Sequence, residues 1–171
     1  RAITVDGTHV FVGGDFATIG GQARDRAADL DVTTGLADVW NPDLGNGVYA
    51  IAVDGTNAYL GGTFTTLNTV TRNRIAAIDA DTGLPTNWNP NASGSVVAID
   101  VIGTTLYAGG SFGTIGGQSR SNIAALDTTT DTNQATTWNP GANGGINAIV
   151  ASGTTIYAGG AFTTIGGAAR S

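Results

Sequence analysis

Apolar residues in this chain come in runs of about six, set between turns rich in Gly, Asp, Thr and Asn. In one stretch, residues 48–53 (VYAIAV) read as a first strand and Asp54-Gly55-Thr56-Asn57 as a hairpin turn. Residues 58–64 read as a second strand, followed by a longer polar loop to Arg72. Residues 74–79 read as a third strand, and Asp81-Thr82-Gly83 turns the chain. Residues 84–88 make a short fourth strand, stopped at Asn89-Pro90 because proline has no N–H for a ladder. The first three strands are apolar with little alternation, the pattern of strands covered on both faces. The equivalent second strands are expected at about 9–14, 57–62, 105–110 and 155–160, with Phe11, Tyr59, Tyr107 and Tyr157 all largely buried.

The unit repeats. Gly13-Gly14-Asp15-Phe16 returns as Gly61-Gly62-Thr63-Phe64, Gly109-Gly110-Ser111-Phe112 and Gly159-Gly160-Ala161-Phe162, with Phe spacings of 48, 48 and 50. Trp-Asn-Pro recurs at Trp40, Trp88 and Trp138; Arg24, Arg72, Arg120 and Arg170 hold a further slot, and Asp31, Asp79 and Asp127 another. The two extra residues of the third copy fall between Asp127 and Trp138, in a turn that tolerates insertion. Four strands in a repeat of 40–50 residues is the signature of a β-propeller blade, a small sheet sandwiched between its neighbours. Gly-Gly and Ala-Ala pairs suit places where adjacent sheets approach closely. A parallel β-helix is the main rival, but its coils are usually shorter and lack antiparallel hairpins such as the one at Asp54-Gly55. The expectation is an all-β chain of β-propeller blades of four antiparallel strands: 1–47, 48–95, 96–145 and a half blade 146–171, a partial or open propeller of about three and a half blades.

Composition agrees. Every acid is Asp and every strong base is Arg, so straight-chain helix formers are scarce while Gly, Thr, Ala, Val and Ile abound. The net charge of −6 argues against nucleic acid, which demands a basic stripe, and against an anionic membrane surface. No apolar run approaches the roughly 20 residues of a membrane span. The absence of cysteine excludes disulfides, cysteine-ligated zinc and thiol chemistry. A Lys-free surface rich in Thr, Asn and Gly leans towards an extracellular or cell-surface setting.

The string Gly13-Gly14-Asp15-Phe16-Ala-Thr-Ile-Gly-Gly-Gln, with Arg24, Leu30-Asp31, Thr34-Gly35 and Trp40-Asn41-Pro42, resembles the delta-60-type β-propeller repeat family. That resemblance covers the whole chain and implies a secreted or cell-surface protein. More distantly, Ala76-Ala-Ile-Asp79-Ala-Asp-Thr-Gly83 with Trp88 is similar to the quinoprotein-dehydrogenase repeat, in which the Trp docks between blades. The second copy departs from the pattern with Leu67-Asn68-Thr69-Val70 where the others carry Ile-Gly-Gly.

Candidate chemistry is thin. His9, the only histidine, shares its slot with Asn57, Thr105 and Thr155 and reads as a polar turn residue; no nucleophile motif accompanies it. Asp79-Ala-Asp81 and Asp127 with Asp131 offer carboxylates to calcium, but Asp and Thr before Gly are ordinary turn chemistry. The Arg slot suits capping of loop carbonyls or a reach to an adjacent blade. Trp40, Trp88 and Trp138 suit packing between blades ahead of stacking on sugars. Asn91-Ala92-Ser93 matches a glycosylation sequon, which matters only in a eukaryotic secretory route. No catalytic, cofactor-binding or metal residue is assigned, and no bound metal is expected.

The leading expectation for function is a non-enzymatic extracellular module, a binding or structural platform in a larger surface or secreted protein. A carbohydrate-binding propeller is the alternative, and a fragment of a quinoprotein-type oxidoreductase a weaker one. Three and a half blades fall short of the four to eight that close a ring. The partners expected are therefore another copy, other blades of a longer chain, or a carbohydrate or surface protein, because bare end faces and edges are sticky.

Overall fold

The structure is a computed structural model that describes residues 1–132 and 134–170; Asn133 and Ser171 lie outside the described residues. It is all-β, built of small antiparallel sheets, with no helix among the described residues. In the first copy β1 (Ala2–Asp6) pairs with β2 (His9–Gly13), β3 (Thr18–Ile19) and β4 (Gln22–Ala23) form a miniature hairpin, and β5 (Ala27–Asp31) returns to the other edge of β2. The second copy repeats this with β6 (Val48–Val53), β7 (Asn57–Gly62), β8 (Thr66–Leu67), β9 (Val70–Thr71) and β10 (Ile75–Asp79). The third has β11 (Ser95–Ile102), β12 (Thr105–Ser111), β13 (Thr114–Ile115), β14 (Gln118–Ser119) and β15 (Ile123–Asp127). The fourth contributes β16 (Ile146–Ser152), β17 (Thr155–Gly160), β18 (Thr164–Ile165) and β19 (Ala168–Ala169).

Two local expectations need correction. In the first three copies the expected fourth strand shrinks to one bridge: Leu30 with Ala37, Ile78 with Pro85, Leu126 with Ala135. The chain leaves the sheet there because its Trp, three residues further on, turns into the space beside the next sheet. The polar loop after the second strand is in fact a hairpin with a two-residue turn. That turn needs positive φ at both central residues, and Gly20-Gly21, Gly116-Gly117 and Gly166-Gly167 supply it. In the second copy Asn68 (φ 46°) and Thr69 (φ 67°) are held in the same conformation.

Consecutive sheets stack face to face, with β1, β6, β11 and β16 side by side in sequence. An apolar layer fills each seam. Phe11, Trp40, Ile51, Leu60 and Ile78 share the first, Tyr59, Trp88, Ile99, Leu106 and Leu126 the second, and Tyr107, Trp138, Ile146 and Ile149 the third. The first glycine of each pair sets the approach. A Cβ on Gly13 would lie 2.5 Å from Val48 Cγ1 and 3.0 Å from Ile51 Cδ1. One on Gly109 would lie 2.5 Å from Ile146 Cγ2 and 2.8 Å from Ile149 Cδ1. Each glycine is thus a notch, and the Val or Ile opening the next copy is the knob that fills it.

The expected burial of the aromatic slot holds for Phe11 and Tyr59 and fails for Tyr157, which is 62% exposed; Tyr107 is half-buried. The reason is the seam. Tyr59 is covered by the third copy, whereas Tyr157 projects from the outer face of β17, which no further sheet of the described residues covers.

Two substitutions test this account by thermal or denaturant unfolding. Thr69→Gly relieves a β-branched residue of a left-handed conformation and is expected to stabilise the chain by about 1 kcal/mol, after allowing for the freer unfolded chain. Gly109→Ala overfills a seam and is expected to cost about 1–3 kcal/mol. If Gly109→Ala melts with the parent, the seam is looser than described.

Candidate functional site

The recurring side chains turn out to hold the scaffold. Trp40 and Trp88 are 0% and 3% exposed. Their rings meet Phe11 and Tyr59 edge-on, with centroids 5.4 and 5.3 Å apart. Each indole N–H crosses the seam: Trp40 Nε1 donates to the Asp79 carbonyl at 3.3 Å and Trp88 Nε1 to that of Asp127 at 2.9 Å. Trp138 keeps the edge-on contact, to Tyr107, and is half-buried. These rings are inter-sheet struts and offer little face to a sugar.

The Arg slot caps loops within its own copy. Arg24, Arg72 and Arg120 donate through Nη2 to the carbonyls of Asp38, Thr86 and Thr136, and each donates through Nη1 to the carbonyl of the residue before it. A second slot went unnoticed in the sequence. Arg26, Arg74 and Asn122 all adopt positive φ (67°, 66° and 65°) and donate to the carbonyls of Leu44, Ala92 and Ala142 in the link to the next sheet. Arg marks the slot in two copies and Asn in the third, because what the position demands is a side-chain N–H donor on a left-handed backbone.

Asp31, Asp79 and Asp127 are turn acceptors. Asp79 Oδ1 takes the Thr82 amide and hydroxyl, and Asp127 Oδ1 takes those of Thr129. Asp31 Oδ1 takes the Thr33 amide and both donors of Thr34. These bonds hold all three carboxyls below their usual range, the Thr34 amide contributing most at Asp31 and the Thr82 and Thr129 hydroxyls most at the others.

His9 departs from its expected role. It opens β2 instead of sitting in the turn, stacks over Phe11 at 6.0 Å, and its Nδ1 is hydrogen-bonded to Asp29 Oδ2. Asp29 lies on β5 directly opposite Phe11, on the face turned to the second copy, and is 1% exposed. Its other oxygen, Oδ1, has no partner. Asp38 comes alongside from the link after β5, its Oδ1 accepting the Trp40 amide at 2.7 Å. One ligand atom from each of His9, Asp29 and Asp38 falls within 4.8 Å of the other two. The bond to Asp29 raises the His9 pKa against an opposing effect of burial. Burial pushes the Asp29 carboxyl up, the His9 bond pulls it down, and neighbouring Asp38 pushes it up again, for a net rise.

The second and third copies carry Asn57, Ala77 and Thr86, and Thr105, Ala125 and Thr136, at these three positions. The cluster therefore belongs to the first seam. Laying the copies over one another slot by slot would have revealed it, since all three positions change together in the first copy.

A polar cleft of about 560 Å³ lies further along, between the Asn89–Asn91 link, the β13–β14 hairpin and the segment at Asp131. Asn89, Asn91, Thr114, Gln118, Ser119 and Thr132 line it with amides and hydroxyls. No protein-family model and no curated protein matches the chain.

Trp88→Ala is expected to destabilise the fold by about 3–5 kcal/mol, the cost of emptying a large buried aromatic site. A variant that melts like the parent but loses a ligand would make the ring a binding platform instead.

Proposed function

We propose that the chain is a run of β-propeller blades that serves as a non-enzymatic binding or structural platform in an extracellular or cell-surface protein. One observation carries this reading: the same knob and notch join each pair of successive sheets, and apolar surface of the kind each seam buries is left uncovered on the outer faces of the first and fourth sheets. Ile51, Ile99 and Ile149 are buried in their seams, whereas Ile3, in the same slot, is 69% exposed. At the other end the notch beside Gly159 is free, since a Cβ there would meet nothing within 4 Å. Tyr157 and Val150 flank it and are exposed. A head-to-tail interface of this kind closes into a ring when the rotation permits.

Packing the innermost strands β1, β6, β11 and β16 side by side is how blades surround a common axis, and this supports the propeller reading. In it the open ends are covered by another copy, another chain or further blades. Leaving the miniature hairpins aside, two copies would supply six three-stranded sheets and two two-stranded ones, eight sectors in all, within the range of closed rings. The extracellular setting rests on the Lys-free composition and on the resemblance to the delta-60 repeats. No helix among the described residues is long and apolar enough to cross a membrane. A platform role fits side chains whose repeated bonds are used between sheets and within turns.

Carbohydrate binding is the second reading, favoured by the cleft of amides and hydroxyls near Gln118. A glycan array separates the two: selective retention of one glycan class, lost in Gln118→Ala, would make the module a lectin.

Sedimentation velocity tests the open ends. The chain is expected to run as an assembly larger than one copy, and Ile3→Asp or Tyr157→Asp is expected to shift it to the monomer. A parent chain that is monomeric at micromolar concentration and unfolds cooperatively would refute the covered ends.

A further inference from the structure

We infer that the first seam holds a divalent transition-metal site, of the zinc class, formed by His9, Asp29 and Asp38. The seam in the other copies shows that the fold needs no acid here. Alanine fills the Asp29 position at Ala77 and Ala125, both buried, and threonine does the work of Asp38: Thr86 and Thr136 accept the Trp amide through their hydroxyls. The first copy instead puts two carboxylates and the chain's sole imidazole in the same place. Burying a carboxylate in an apolar layer is costly unless the charge is met; one oxygen of Asp29 has no hydrogen-bond partner, and a second carboxylate, Asp38, lies beside it.

A cation accounts for all of these features at once. It offers Asp29 a ligand bond in place of a missing hydrogen bond and neutralises two neighbouring carboxylates. The three donors already lie within 4.8 Å of one another, so bonds of about 2.0–2.2 Å require only a modest closure. His9 is exposed, which leaves a path for entry and a coordination position open to water. One imidazole with two carboxylates suits zinc, cobalt or manganese; calcium wants six to eight oxygens, which this cluster does not provide. The site lies at the first seam, since Asp29 shares the face of Phe11 that the second copy covers, and Asp81 from that copy adds negative charge nearby. An ion held there would brace the first seam. This reading stands apart from the platform proposal and does not depend on ring closure.

His9 is its own reporter. In a ¹⁵N-labelled chain, equimolar zinc is expected to shift the His9 ring-nitrogen resonances and raise the melting temperature, with one zinc bound per chain by calorimetry. The double variant Asp29→Ala with Asp38→Thr restores the residues of the second copy and is therefore expected to fold. It should melt above the parent in chelator, lose the zinc-dependent rise, and leave its His9 resonances unmoved by zinc. His9→Asn, which restores Asn57's residue, should weaken zinc binding at least tenfold while keeping the parent's melting temperature in chelator within a few degrees. The proposal is overturned if zinc leaves the parent's His9 resonances in place, or if His9→Asn binds zinc as tightly as the parent. Equal zinc uptake by parent and double variant would likewise overturn it, by locating the ion at the exposed Asp turns.

Discussion

The close approach of one sheet to the next is the constraint on which the rest depends. It exists because the middle strand carries glycine where the next copy presents Val48, Val96 or Ile146. With a side chain at Gly13 or Gly109 the sheets could not close to their present distance. With that distance fixed, a Trp from the link can enter the seam, meet the aromatic of its own sheet edge-on, and still reach a carbonyl of the neighbouring sheet. Hydrophobic burial and a directed hydrogen bond then act at the same place.

The links and hairpins are built around that distance. Arg24, Arg72 and Arg120 tie the link back onto its own copy, while Arg26, Arg74 and Asn122 tie the left-handed corner to the link that leads onward. Leu44 and Ala142 bridge to Leu67 and Ile165 in the next hairpin. These bonds explain why positive φ is tolerated at residues that ordinarily avoid it: a local cost is offset by bonds to a neighbouring element. Thr69 has the same backbone where the other copies carry glycine, and it stands out as an irregular member of the repeat.

A repeat protein also separates scaffold from chemistry. Where all copies agree, the residues are explained by seams and turns. Where one copy departs, the departure needs its own cause. Asn68-Thr69 is a departure that strains the turn, while the Asn68 side chain gains a hydrogen bond to the Gly83 carbonyl at 3.0 Å. His9, Asp29 and Asp38 are a departure at three distant chain positions that converge on one spot, and convergence is what turns three substitutions into a site.

The strands, the glycine notches, the Trp struts and the Asp turns were legible in the sequence because each rests on chemistry confined to a few residues and was written three or four times. The fourth strand was misread for a local reason too: the stretch before Trp88 looked like a strand, but the Trp had to leave the sheet to enter the seam. The remainder was decided by tertiary structure. Residues 107 and 157 are both tyrosine in the same motif, yet one is half-buried and the other exposed, since burial belongs to the neighbouring sheet and not to the residue. His9, Asp29 and Asp38 are spread over thirty positions of chain. Strand register sets Asp29 opposite Phe11, the stacking of the second sheet buries it, and the turn into the seam delivers Asp38; none of these is a property of the residues taken in order.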